Sequence, residues 1–321
     1  MKKYLFTLLA GFIAVNSYAQ AILSGDRAQG EKLIEAYFSP MAESFGGGLN
    51  NGWYNTAKPH SLGGFDFTLT VNTVFIPKSE KTFDIQDAGG QIFTSNTNNA
   101  STIIGSNDET DMAYSFIDNN GTQDTIDFKI PGGFDIPIVP LPIIQAGVGL
   151  IKNTAIDIRF IPKINIGKKE DDQSVKVNLF GVGLKHDLLQ WIPGIGDAIP
   201  MSLSLQGGYT SLNAEMEIKG QNVSLSTKAT TINLVASRKI VMITGYAGLG
   251  YNLSRTSFST DTNFDLGGVE FEDKINVDFE SNNDLRANLG LRLNMTIVTI
   301  HADYTFAKYP TATLGLGVSL R

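Results

Sequence analysis

The sequence predicts an all-β protein, an antiparallel transmembrane β-barrel of ten to fourteen strands, twelve preferred, with a short N-terminal helical plug. Three observations carry this expectation: strict apolar–polar alternation at the C-terminus, a secretory leader at the N-terminus, and alternating short and long connections between them.

The alternation is clearest over the last 37 residues. Leu285, Ala287, Leu289, Leu291, Leu293 and Met295 take every odd position, and Arg286, Asn288, Gly290, Arg292 and Asn294 lie between them. The phase then flips: Val298, Ile300, Ala302, Tyr304 and Phe306 are apolar, interleaved with Thr299, His301, Asp303 and Thr305. A third run places Ala312, Leu314, Leu316, Val318 and Leu320 against Thr313, Gly315, Gly317 and Ser319. A strand points successive side chains to opposite faces, so each run has one greasy and one polar face. Each is also long enough to cross a bilayer as a tilted strand of roughly 9–11 residues.

At the other end, Lys2 and Lys3 precede an apolar stretch from Tyr4 to Val15, followed by Ser17-Tyr18-Ala19. This reads as a signal peptide over residues 1–19, cut before Gln20, because its apolar core is too short for a span. Cleavage would leave 302 residues and shift the net charge from −7 to −9. There is no cysteine, so a lipidated or disulfide-stapled extracytoplasmic protein is excluded. Charged residues make up only 18% and mean hydropathy is −0.02, near neutral as alternation requires.

Residues 20–62 form the plug segment. Asp26 can cap a helix over 26–45, with Leu33, Ile34, Tyr37, Phe38 and Met41 on one face, ended by Pro40 and Gly46-Gly47-Gly48. The turn-rich tail holds Asn51, Trp53 and Tyr54. The segment is expected to occlude the periplasmic mouth of a barrel occupying residues 63–321. The first strand runs from Gly64 to Ile76, and further runs recur at 142–151, 154–166, 174–185, 200–212, 222–236 and 240–254. With the terminal three this makes ten, or twelve to fourteen if residues 78–130 add hairpins; barrels of this kind have even counts. Residues 78–140 and 254–282 read as long outer loops, and short turns land on the periplasmic side. The long apolar connection at 186–199 is the exception, and its Trp191 suits a membrane-interface belt.

The alternation also assigns polar residues to the lumen: Asp157 and Arg159 on one strand, and Arg286, Asn288, Arg292, His301 and Asp303 near the C-terminus. These are expected to pair as charges filling a small barrel, or to form a polar track for solute. A turn at Asn294-Met295 would set Arg286 opposite Asp303; one at Thr296-Ile297 would set Arg292 opposite His301. Asparagine suits a tight turn, which favours the first.

No catalytic motif is present, so an enzyme is not expected, nor any cofactor. His60, His186 and His301 lie far apart, which argues against a metal site. Asn107-Asp108-Glu109 and Asp118-Asn119-Asn120-Gly121 lack the ligand spacing of a calcium loop and read as solvated turns. An acidic chain without a basic cluster does not suit nucleic acid.

Two stretches, Asn50-Asn51-Gly52-Trp53-Tyr54-Asn55-Thr56-Ala57-Lys58 and Gly181 to Asp187 running into Gln190-Trp191-Ile192-Pro193-Gly194, resemble an uncharacterised family of gram-negative outer-membrane barrels. Its layout is similar to that of the long-chain fatty-acid transporter class, in which an N-terminal hatch plugs a barrel. The resemblance implies an outer-membrane protein in contact with lipid, passively passing small hydrophobic molecules. The alternative is a non-transporting structural or surface-interaction barrel.

Overall fold

The computed structural model describes residues 27–90, 92–117, 122–166, 173–192, 200–218, 221–265, 270–281 and 285–320. The leader, Asp26 and the 118–121 turn lie outside these.

One helix, α1 (Arg27–Leu49), precedes the wall. The wall strands are β1 (Phe65–Phe75), β7 (Ile138–Leu150), β8 (Thr154–Ile166), β9 (Gln173–Asp187), β10 (Ser202–Ile218), β11 (Gln221–Ile240), β12 (Ile243–Asp265), β14 (Leu285–Met295), β15 (Val298–Phe306) and β16 (Thr311–Leu320). They pair in the order β11-β10-β9-β8-β7-β1-β16-β15-β14-β12, and β11 pairs with β12, which closes a ten-stranded antiparallel barrel. Closure ties the ends of the sheet together, as a membrane span requires, and leaves the ring unpaired where β7 and β8 run on beyond Gln145–Arg159.

The preferred count of twelve is therefore wrong, for a definite reason. Residues 76–137 do not add hairpins to the wall but fold into a cap over one mouth. In it β2 (Thr82–Asp84) pairs with β4 (Asn99–Ser101), and β3 (Phe93–Ser95), β5 (Thr110–Ile117) and β6 (Gln123–Ile130) make a small sheet beside α2 (Ile85–Gly89). The supposed loop 254–282 is also structured. β12 continues to Asp265, and β13 (Glu270–Ser281) pairs with its far half as an eleventh strand. β7 likewise starts earlier than expected, taking in Pro140 and Pro142. Over that stretch only β1 pairs with it, since β8 joins from Gln145 onward, and an unpaired edge tolerates proline.

Strand polarity inverts with height. Near the end holding Phe65 and Leu320, apolar side chains face out (Phe67, Leu69, Phe180, Val182, Leu184, Leu249, Leu253, Leu316) and polar ones are buried inside. Higher up the order reverses. Val175, Leu179, Leu225 and Phe258 are buried inside, while Arg255 pairs with Glu280 and Lys163 with Glu215 (2.8 Å) on the exposed outer face. An apolar outer belt thus gives way to a charged outer collar.

α1 lies inside the collar, packed on β11, β12, β13, β7, β1 and α2. It runs straight through Pro40 and the three glycines that were expected to end it. Enclosure explains this, since a helix surrounded by packing partners does not depend on intrinsic propensity. A Cβ on Gly48 would stand 2.3 Å from Leu141 Cδ1, so the small residue is what lets α1 approach β7. Residues 50–61 then descend the lumen, and Gly63 N donates to Gly149 O at the opposite end. The helix sits at the mouth where the cap and collar stand, at the end opposite the short β7–β8 and β14–β15 turns that the sequence assigns to the periplasmic side. An extended chain covers about 3.3 Å per residue, so the short tail can traverse the whole barrel.

Candidate functional site

The last carbonyls of a helix have no partner within it, and α1 presents them in the middle of the barrel. Each finds a donor. Asn72 Nδ2 donates to Gly48 O (2.8 Å) and Asn51 O (3.0 Å). Arg159 donates through Nη1 to Leu49 O (2.7 Å) and through Nη2 to Asn51 O (2.8 Å), with its Nε on Gln145 Oε1 (3.0 Å). Arg286 donates to Asn50 O and Asn51 Oδ1, both at 2.7 Å. Arg159 on β8 and Arg286 on β14 stand five strands apart in a ring of ten, so they grip this end from opposite walls. Their positive charge complements the negative end of the helix dipole.

The tail below is held residue by residue. Gly52 has φ +74°, a conformation that favours glycine, and a Cβ there would press on Asn72. Trp53 lies under the Arg159 guanidinium and fills the space left by Gly183 and Gly208. Tyr54 fits over Gly248 and meets Tyr246 edge-on, 6.2 Å between ring centres. Arg292 Nη1 donates to Asn55 Oδ1 (2.6 Å), Ser237 Oγ accepts from Ala57 N (2.9 Å), and His60 Nε2 lies 3.0 Å from Asp66 Oδ1.

All seven residues assigned to the lumen are buried. Asp303 accepts from Tyr246 OH (2.8 Å) and Asn288 Nδ2 (2.7 Å), and Asp157 accepts from Gln145 (3.4 Å). His301 is enclosed against Gly315, and neither ring nitrogen has a hydrogen-bond partner among the described residues. The expected charge pairing does not hold for the arginines. Among the described residues no carboxylate lies within ion-pair distance of Arg159, Arg286 or Arg292.

The favoured hairpin register is also wrong. Arg292 faces His301 and Gly290 faces Asp303, with the turn at Thr296-Ile297 and Thr296 at φ +60°. A Cβ on residue 290 would stand 2.3 Å from Tyr246 Cζ, so glycine opposite Asp303 is what admits the Tyr246–Asp303 bond. Asn294, the expected turn residue, is occupied elsewhere: its N donates to Met242 O and its Oδ1 accepts from Arg292 Nε.

Of the plug candidates, Leu33, Ile34, Tyr37 and Phe38 are buried in the collar, where Phe38 stacks on Phe258 at 5.6 Å. Asn51, Trp53 and Tyr54 lie in the lumen. Sequence reasoning missed Asn72, Gln145, Tyr246 and Thr305, whose position on polar strand faces was the only signal. It also missed the outer latch. Lys308 Nζ lies 2.6 Å from Glu43 on α1 and 3.6 Å from Glu80, and Tyr309 OH donates to Glu80 (3.1 Å). Burial pulls the Lys308 ammonium down, but the two carboxylates outweigh it and the net shift is upward. Burial, followed by the same carboxylates, pushes the Tyr309 phenol up.

These features define a closed β-barrel filled by its own N-terminal segment. Residues 1–320 match the family of unknown function DUF6588, and the chain belongs to that family. No curated protein matches it. Among solved structures it is similar to the translocator domain of autotransporter NalP from Neisseria meningitidis (10% identity, 89% of this chain and 99% of that one, TM-score 0.37). It is also similar to the outer membrane channel DcaP of Acinetobacter baumannii (9% identity, 81% and 96%, TM-score 0.23). At this level of overlap the barrel assignment rests on the chain's own strand pairing.

Proposed function

We propose that the chain is an outer-membrane barrel closed at rest by its own N-terminal segment, with no catalytic step, whose cap and collar are the surface that meets partners. The observation carrying this reading is the filled helix terminus: Gly48, Leu49, Asn50 and Asn51 all have donors from the wall. Buried carbonyls stripped of such donors would each cost about 1–3 kcal/mol, so withdrawal of the segment is opposed at every residue. The apolar belt supports a place in lipid, and the charged collar supports exposure above it.

A second reading, passive passage of small hydrophobic molecules, draws on another observation. β7 and β8 pair only over Gln145–Leu150 and Thr154–Arg159. Above that, Leu141, Ile143 and Ile161 flank an unpaired stretch of wall beside the apolar surroundings of α1.

One experiment separates the two. Thr56 Oγ1 and Ser237 Oγ are 3.2 Å apart and buried, and the chain has no cysteine. In Thr56→Cys/Ser237→Cys, oxidation would tie the tail to β11. The closed-barrel reading expects silent planar bilayers and no uptake of a hydrophobic dye into liposomes, oxidised or reduced. Uptake in the reduced form that stops on oxidation would replace it with the second reading.

A further inference from the structure

Three guanidiniums are buried in the lumen, and their partners are neutral oxygens. Arg159 bonds Gln145 Oε1 and the carbonyls of Leu49 and Asn51; Arg286 bonds the Asn50 carbonyl, Asn51 Oδ1 and Thr305 Oγ1. Both residues are at most 3% exposed. Arg286 Nε, also buried, has no hydrogen-bond partner among the described residues. Guanidinium groups match carboxylate and phosphate geometry, and charged acceptors bind them more strongly than neutral ones. Asp157 and Asp303 lie near enough to act on the pair through space, but they bond Gln145, Asn288 and Tyr246 rather than either guanidinium. A buried cation with no directly bonded counter-charge is costly, so this pair is incompletely compensated by what it holds.

We propose that Arg159 and Arg286 form an oxyanion site that the C-terminal carbonyls of α1 occupy in the closed barrel. A small carboxylate or phosphate competing for the two guanidiniums would then unseat the segment. The proposal rests on the closed-barrel reading, because it needs a segment that is seated at rest. The coupling follows from differential affinity: the anion binds only where the carbonyls have left, so it shifts the population toward the unseated state. Chloride, which lacks the bidentate geometry, would act only through ionic strength.

Trp53 supplies the reporter. It is 1% exposed beneath Arg159, and the other tryptophan, Trp191, is 63% exposed at the far end. Full-length Trp191→Phe in liposomes would be titrated with sodium phosphate and with sodium acetate, each against sodium chloride at matched ionic strength. The expected result is a saturable red shift of Trp53 emission with phosphate or acetate and none with chloride. That shift should vanish in Arg159→Gln and Arg286→Gln, each checked for a folded barrel by its heat-dependent gel mobility. Equal responses to oxyanion and chloride, or a response that survives in whichever glutamine variant folds, would overturn the proposal. Bilayer current of the same protein without phosphate distinguishes the failures. Steady current would sink the closed-barrel reading itself, whereas silence with an unmoved Trp53 would sink only the oxyanion site.

Discussion

Arg159 holds its Cζ 3.6 Å from the centre of the Trp53 ring while the same guanidinium donates to Leu49 and Asn51. One side chain therefore caps a helix, stacks on an indole and reaches back to Gln145 on its own wall.

Arg159→Ala should be the most damaging single truncation in the lumen. It orphans the buried Leu49 carbonyl and Gln145 Oε1, leaves Asn51 O with only its Asn72 donor, and removes a desolvated cation–π contact, together roughly 3–6 kcal/mol. Denaturant unfolding in lipid would read the loss, and Trp53 emission should shift red before the barrel wall melts. Simultaneous loss of both signals would mean that the segment and wall form one cooperative unit.

Gly208 tests the notch. A Cβ there would stand 2.4 Å from Trp53 Cε2, and overpacking of this kind costs about 1–3 kcal/mol. Gly208→Ala should therefore displace the indole and redden its emission. Gly207, whose Cβ would meet nothing, is the control.

The polarity inversion predicts two different costs on one face of one strand. Leu249 and Ser257 both point outward from β12, Leu249 in the apolar belt and Ser257 in the collar. Leu249→Arg should destabilise by about 2–4 kcal/mol, and Ser257→Arg by less than about 0.5 kcal/mol, as for an ordinary water-facing position. Similar values in a liposome folding assay would show that the belt has been drawn too short.

Sidedness can be read by labelling. Lys32 on α1 and Lys152 in the β7–β8 turn are exposed at opposite ends. On intact cells Lys32→Cys should react with an impermeant maleimide, and Lys152→Cys only after permeabilisation. The reverse pattern would invert the barrel.

The outer latch has a pH signature. The Lys308 and Tyr309 values are both raised above their ordinary 10.5 and 10.0. For both, the contribution to stability is complete below the unfolded-state value and is lost as pH rises beyond it. The latch should thus hold through neutral pH and loosen only in the alkaline range. Lys308→Met should shrink the alkaline step in α1 protection from protease, and Lys308→Met/Tyr309→Phe should remove it.

Much of the wall was legible because alternation is a local property: Leu285 to Met295 and Val298 to Phe306 announce their faces residue by residue. What failed depended on partners distant in sequence. The true register needs Gly290 to make room for Tyr246, 44 positions away, and no local turn preference reports that. Pro40 and Gly46 to Gly48 read as helix breakers because the packing that encloses α1, such as Gly48 against Leu141 on β7 and Val74 on β1, is invisible before folding. The collar was mistaken for loop because its polarity is the reverse of the belt's: Val277 and Phe279, buried, lie between Asn276, Asp278 and Glu280, a pattern that reads as solvated when the inward face has no evident neighbour. Asn50 to Lys58 was singled out as a motif, but its role as a set of acceptors for three arginines required the two to be seen together.

The descent of residues 50–61 through the lumen constrains the order of assembly. β1 starts at the end opposite α1, and its edge meets β16 from Phe65–Leu320 to Val74–Thr311. If that seam zipped first, a helix bearing Tyr37, Phe38 and Phe45, and then Trp53, would have to be pulled through a finished ring of hydrogen bonds. Wrapping demands no such passage. With α1 and its tail laid down as a template and the strands folded around them, the β1–β16 seam becomes the final stitch, and the nascent protein never exposes an empty hole.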